Sequence, residues 1–195
     1  MQTTTLSFQN FHVHGALFSD ILRARRESFI VNRNWDLPEV DGMEFDQYDT
    51  PQSRWIAVHQ FGDVLAGIRM TPTTARCGIY SYMIRDAQRG LLETIPRELL
   101  HGEAPVDPQV WESSRVFVAD HVPAALRAKV QASLMEEMIR TARAEGATRI
   151  LGLCPRVWMR WMRRLGYETE HAGPCLDIGG SANQAIMMNL QTNLH

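Results

Sequence analysis

The sequence predicts an α/β or α+β sandwich, a mostly continuous sheet covered by helices. Two observations carry this reading. Segments with helical and with strand periodicity alternate along the chain in the order helix, hairpin, strand, helix, strand, helix, strand. The chain's 195 residues, 45% hydrophobic and 22% charged, suit one globular domain, residues 1–195, around one sizeable core.

The elements follow in order. Residues 16–31 carry Leu17, Phe18, Ile21, Leu22, Phe29 and Ile30 at helical spacing. Arg25 stands four residues after Ile21 and four before Phe29, so a helix sets it on the apolar stripe, either buried there or snorkelling its head outward. Residues 34–53 read as a loop with Pro38, Gly42 and Pro51, rich in acids: Asp36, Glu39, Asp41, Glu44, Asp46 and Asp49. Trp55–His59 and Val64–Met70, joined through Phe61-Gly62-Asp63, predict a β-hairpin. Residues 75–108 hold short, irregular segments. Trp111–Ala119 is the next strand, and Pro123–Glu145 the clearest helix, stopped by Gly146. Thr148–Cys154 reads as a buried strand, Val157–Leu165 as a short amphipathic helix and Ala185–Leu190 as the last strand. His12 and His14 fall near a terminus expected to be mobile.

Composition excludes several function classes. A formal net charge of −2 removes the main electrostatic argument for nucleic acid. The first residues lack the basic segment and apolar run of a signal peptide, and no apolar stretch is long enough to span a membrane, so the expected setting is soluble and cytoplasmic. The three cysteines form no C-x-x-C pair and the seven histidines are dispersed, so neither a metal nor a cofactor is expected. Ten methionines and five tryptophans suit a pocket or core that takes large apolar groups.

Three arginines and three carboxylates sit where exposed surface is not the obvious placement. Arg25 lies on a helix stripe, Arg69 at a strand end and Arg115 within a strand, while Asp46, Asp49 and Glu112 can neutralise them. Buried charges of both signs require a paired network, which is either structural or catalytic.

The order Arg25-x-x-x-Phe29, Trp35, Asp46-x-x-Asp49, Gly67-x-Arg69 and Glu112-x-x-Arg115 resembles the LuxI-type acyl-homoserine-lactone synthases. The resemblance is strongest over residues 20–74 and 111–118 and stays collinear to about residue 170. It implies a three-layer fold related to the N-acetyltransferases (the GNAT fold), a mixed sheet flanked by helices. It also implies two substrates, S-adenosylmethionine and an acyl group carried on acyl carrier protein or coenzyme A. The methionyl amine would be acylated. The methionyl carboxylate would then close onto the carbon beside sulfur, leaving a lactone that serves as a quorum-sensing signal and releasing methylthioadenosine.

Roles follow by chemistry. Glu112 is the candidate general base for an amine whose ordinary pKa is about 8. Phe29 and Trp35 can face the sulfonium through cation–π attraction, with Asp46 and Asp49 adding negative field. Among Arg25, Arg69 and Arg115, one can grip the methionyl carboxylate while the others brace the acids. Backbone N–H groups near Phe117 or Val118 can stabilise the thioester oxyanion.

Two departures from the family's pattern bear on specificity. Val116 stands where many members have phenylalanine. Gly152 and Cys154 stand where some carry a threonine associated with 3-oxo chains, which points to an unsubstituted or 3-hydroxy acyl group. Arg149, Arg156, Arg160 and Arg164 form a basic cluster that is either a dock for an acidic acyl carrier protein or a solvated helix face. Two alternatives remain: an acyl-coenzyme A N-acyltransferase on the same fold, and a non-catalytic ligand-binding descendant. Ala119–Leu126 contains no glycine to cradle a pyrophosphate, which counts against the first.

Overall fold

Apolar periodicity resolves into thirteen principal elements in a computed structural model that describes residues 1–191. In chain order they are β1 (Gln2–Leu6), α1 (Leu17–Arg26), β2 (Glu39–Val40), β3 (Met43–Glu44), β4 (Arg54–Gln60), β5 (Asp63–Pro72), α2 (Met83–Gln88), β6 (Val110–Val118), α3 (Ala124–Ala144), β7 (Arg149–Pro155), α4 (Val157–Arg164), β8 (Thr169–Ile178) and β9 (Ser181–Asn189). They fall into two units, 1–70 with 115–141 and 71–114 with the residues from 142 onward.

In the first unit β1, β4 and β5 are antiparallel neighbours. The expected hairpin closes through Phe61 and Gly62, both left-handed at φ 54° and 85°. Its inner face packs against α1: Ile21 and Leu22 join Leu6, Trp55, Ala57, Val64 and Phe117 in one buried cluster. The chain start is ordered, contrary to the expected mobile terminus. β1 pairs along β4 from Gln2 opposite His59 to Leu6 opposite Trp55. The hydroxyls of Thr3 and Thr5 donate to the buried Glu137 carboxylate on α3 at 3.1 and 2.7 Å. His12 and His14 lie in a single 3₁₀ turn, Phe11–His14. The consecutive β-branched Thr3, Thr4 and Thr5 carried a strand signal that position near a terminus obscured.

In the second unit β6 runs parallel to β7, β7 is antiparallel to β9, and β9 to β8. Parallel and antiparallel pairs together make the expected mixed sheet. Strand β8 has no counterpart in the sequence reading, because Gly173 and Pro174 interrupt any alternation. Its register shifts between His171 and Cys175, and His101 N–H bonds the Ala172 carbonyl at 2.9 Å within that irregularity. Gln184 Nε2–H holds the Gly173 carbonyl at 2.8 Å. A Cβ at Gly173 would lie 1.9 Å from the Leu99 carbonyl oxygen, so the edge strand accepts the Leu99–His101 segment only as glycine. Helix α2 falls in the unassigned stretch; its six residues are too few for periodicity to register. No helix among the described residues is long and apolar enough to cross a membrane.

Gly173→Ala therefore forces backbone apart and is expected to cost about 3 kcal/mol in urea denaturation. Gly102→Ala, with open space at its Cβ, should stay within about 0.5 kcal/mol of the parent.

Candidate functional site

The first unit carries a buried ion network assembled from four separate stretches of chain. Helix α1 holds Arg25 on the stripe shared by Ile21 and Leu22, and its head does not snorkel: the side chain is 1% exposed. Arg25 Nε–H donates to Glu44 at 2.5 Å, and its two terminal nitrogens grip both oxygens of Asp49 at 2.7 and 3.0 Å. Arg69 on β5 donates to Asp46 at 2.5 Å and lies 3.1 Å from Asp49. Arg115 on β6 donates to Glu44 at 3.1 Å and to Asp46 at 2.8 Å. Trp55 Nε1–H and Asp46 N–H complete Asp49 at 2.7 and 2.9 Å.

Three guanidinium groups thus face Glu44, Asp46 and Asp49, and the formal charge of the six sums to zero. Burial alone would raise the Asp49 pKa, but the charges of Arg69 and Arg25 and the hydrogen bonds from Arg25 and Asp46 hold it well below the usual carboxylate range. Burial works against the charge on Arg69, yet Asp46 and Asp49 raise its pKa further above the ordinary arginine value.

Glu44 is the member that sequence reasoning missed. Glu44 and Asp46 are buried on either side of the exposed Phe45, and that alternation was the available signal. Arg115 has left-handed backbone at φ 54°, unusual for a non-glycine residue inside a strand. Such a conformation costs about 1–3 kcal/mol and persists where surrounding contacts over-determine it. Here two carboxylates supply those contacts. Arg115 is also the most accessible of the three arginine side chains, 10% exposed against 1% and 0% for Arg25 and Arg69.

Beyond α1 the chain widens into a π-helical turn, Glu27–Val31. The Trp35 N–H bonds back to the Phe29 carbonyl at 3.0 Å, folding the tryptophan over the turn. The two rings stack at 5.1 Å and 19°. Phe29 is buried, with Phe117 edge-on at 6.0 Å, whereas Trp35 is 47% exposed. The stack is therefore buried on the phenylalanine side and half-exposed at Trp35. Phe117 itself is core, with its ring within 2.7 Å of where a Cβ on Gly67 would sit.

In the second unit Glu112 is fully buried on β6. Its carboxylate accepts the backbone N–H groups of Ile84 at 2.7 Å and Met83 at 3.2 Å, the first residues of α2. It thus caps the N-terminus of α2. Arg156, Arg160 and Arg164 are exposed at intervals of four along α4, over a buried side made by Met159 and Met162. Arg149 stands apart from that row, paired with Asp107 at 3.2 Å.

Comparison with known proteins agrees with this geometry. The family profile described as autoinducer synthase matches residues 9–193. The chain is 30% identical over 175 residues to the acyl-homoserine-lactone synthase of Ralstonia nicotianae, covering 87% of this chain and 80% of that protein. Its fold matches that of a CoA-dependent acyl-homoserine lactone synthase, BjaI, solved with S-adenosylmethionine and isopentyl-CoA (TM-score 0.75, 22% identity, 96% of this chain and 83% of that one). It also matches an acyl-CoA N-acyltransferase from Pseudomonas aeruginosa (TM-score 0.60, 14% identity, 95% and 97%). The expected relation to the N-acetyltransferase fold holds.

Removing one charge from a closed neutral network leaves its partners buried and uncompensated. Asp49→Asn is expected to cost about 3–5 kcal/mol at pH 7 by chemical denaturation. Because the folded pKa of Asp49 is depressed, its contribution is complete above the unfolded value of about 3.9 and is lost as pH falls toward the folded value. The parent should therefore lose stability below about pH 4 more steeply than Asp49→Asn does.

Proposed function

The chain belongs to the autoinducer synthase family and is an acyl-homoserine-lactone synthase, and we propose how residues 1–195, acting as one catalytic domain, carry out its two steps. The match along 9–193 carries the reading. In the first step the methionyl amine of S-adenosylmethionine attacks the thioester carbonyl. An amide forms, the thiol leaves and the ammonium gives up a proton. In the second, a methionyl carboxylate oxygen attacks the carbon next to sulfur. That carbon–sulfur bond breaks, its electron pair neutralises the sulfonium, and methylthioadenosine departs.

We assign the sulfonium to the Phe29–Trp35 face, whose stacked rings are open on the tryptophan side. Arg115 is our choice for the methionyl carboxylate, since Arg25 and Arg69 are closed off from solvent and act as braces for Asp46 and Asp49. Holding the carboxylate in line with the carbon–sulfur bond supplies most of what ring closure needs. Glu112 is our general base. Its carboxylate, held by the N–H groups of Ile84 and Met83, would take the proton from an amine whose pKa is about 8. Backbone N–H groups near Phe117 and Val118 are our donors to the thioester oxyanion.

We propose acyl carrier protein as the donor's carrier, docked on Arg156, Arg160 and Arg164. Two observations support this over coenzyme A. The row is cationic and exposed, and the turn before α3 carries the anionic Asp120 and no glycine where a pyrophosphate would need donors. For the acyl chain we favour an unsubstituted or 3-hydroxy group, because β7 offers no threonine and burial pushes the Cys154 thiol up to about 12, leaving it neutral. We infer a cytoplasmic reaction, where both substrates are made.

Purified protein incubated with S-adenosylmethionine and a panel of acyl-carrier-protein and acyl-coenzyme A thioesters should yield N-acylhomoserine lactone and methylthioadenosine together by mass spectrometry. Amide without methylthioadenosine would establish a plain acyltransferase instead. Reversing Arg156, Arg160 and Arg164 to Glu should raise KM for acyl carrier protein about tenfold or more while KM for S-adenosylmethionine stays put. Glu112→Gln should lower kcat about 10²-fold in a protein that still melts cooperatively. A kcat within twofold of the parent would make Glu112 a helix cap only.

A further inference from the structure

The guanidinium of Arg33 lies 5.0 Å from the centroid of Phe29 and 6.0 Å from that of Trp35. Among the described residues it makes no hydrogen bond and no ion pair. This differs from every arginine of the neighbouring network, each of which is tied to carboxylates. An arginine whose close partners are two aromatic rings is held there by cation–π attraction and little else.

We propose that Arg33 is the resting occupant of the aromatic face, a built-in cation that the cationic substrate must displace. The inference rests on the reading that Phe29 and Trp35 receive the sulfonium. Phe29 also lies 5.9 Å from the Arg115 guanidinium, but Glu44 and Asp46 neutralise that charge, so Arg33 is the one uncompensated cation against the rings among the described residues. Exchanging guanidinium for sulfonium keeps that balance. A displaced Arg33 also has somewhere to go. Beside Asn32 opens a cleft of about 460 Å³ whose acids are Glu27, Asp20 paired with Arg23, Asp63 bonded to His121 and Asp120 bonded to Asn32. Asp120 already attracts Arg33 electrostatically. Arg33 thereby sets the apparent affinity for S-adenosylmethionine: the fraction of molecules with the face free scales the binding constant.

Calorimetric titration of S-adenosylmethionine into the parent, Arg33→Gln, Arg33→Lys and Trp35→Leu tests this, with thermal melts to confirm folding. Removing the occupant should tighten binding roughly three- to tenfold in Arg33→Gln, a range typical of a cation–π contact. Arg33→Lys, which keeps a cation, should remain near the parent. Unchanged or weaker binding by Arg33→Gln would overturn the inference, weaker binding marking Arg33 as a substrate clamp instead. The underlying reading is checked separately with S-adenosylhomocysteine, which has the same framework but a neutral sulfur. If the rings receive the sulfonium, Trp35→Leu lowers the preference for S-adenosylmethionine over this analogue. A preference unchanged in Trp35→Leu would overturn the sulfonium assignment whatever Arg33 does.

Discussion

The first unit depends on a closed exchange of charge between three arginines and three carboxylates. Arg25, Arg69 and Arg115 come from a helix and two strands, and Glu44, Asp46 and Asp49 from one acid-rich loop. Taking a charge out of water costs several kcal/mol per ion, so the network is tolerable only when all partners are in place together. That condition explains features that otherwise look unrelated. The acidic loop is pinned although it contains only two two-residue strands. Arg115 holds a left-handed backbone inside a strand because Glu44 and Asp46 both demand its guanidinium. Trp55 is buried with its indole N–H satisfied by Asp49 rather than by a backbone group.

A neutral network also prepares the surface next to it. The π-helical turn after α1 sets the Phe29 ring within 5.9 Å of the Arg115 guanidinium and folds Trp35 onto it. Because the arginines are already compensated, their charge does not repel a cation from the outer ring as an unpaired guanidinium would. The stacked rings thus sit beside arginines whose charge is already compensated. Arg33, a cation of the chain itself, lies against the same two rings.

The second unit solves a different problem, satisfying a carboxylate buried on a strand. Glu112 accepts two backbone N–H groups at the start of α2. The same contact anchors a helix too short to be stable alone. Only two residues separate Glu112 from Arg115 along β6, yet one is stabilised by a helix end and the other by acids.

Much of this was legible beforehand. The spacing of Ile21, Arg25 and Phe29 placed an arginine on the buried stripe of α1, and the hairpin, α3, β7 and α4 followed from apolar periodicity. The ordered motifs from Arg25 to Arg115 identified the family, since their residue types and spacing are properties of the chain alone. What tertiary structure decided was pairing. Nothing in the sequence distinguishes Glu112, which caps a helix, from Glu44, which bridges two arginines, because the partner of a buried charge is chosen by which segments meet in space. The left-handed Arg115, the edge strand β8 with its required Gly173 and the seat of Arg33 on two rings share that origin. Each depends on a contact across the fold, and local propensity holds no record of it.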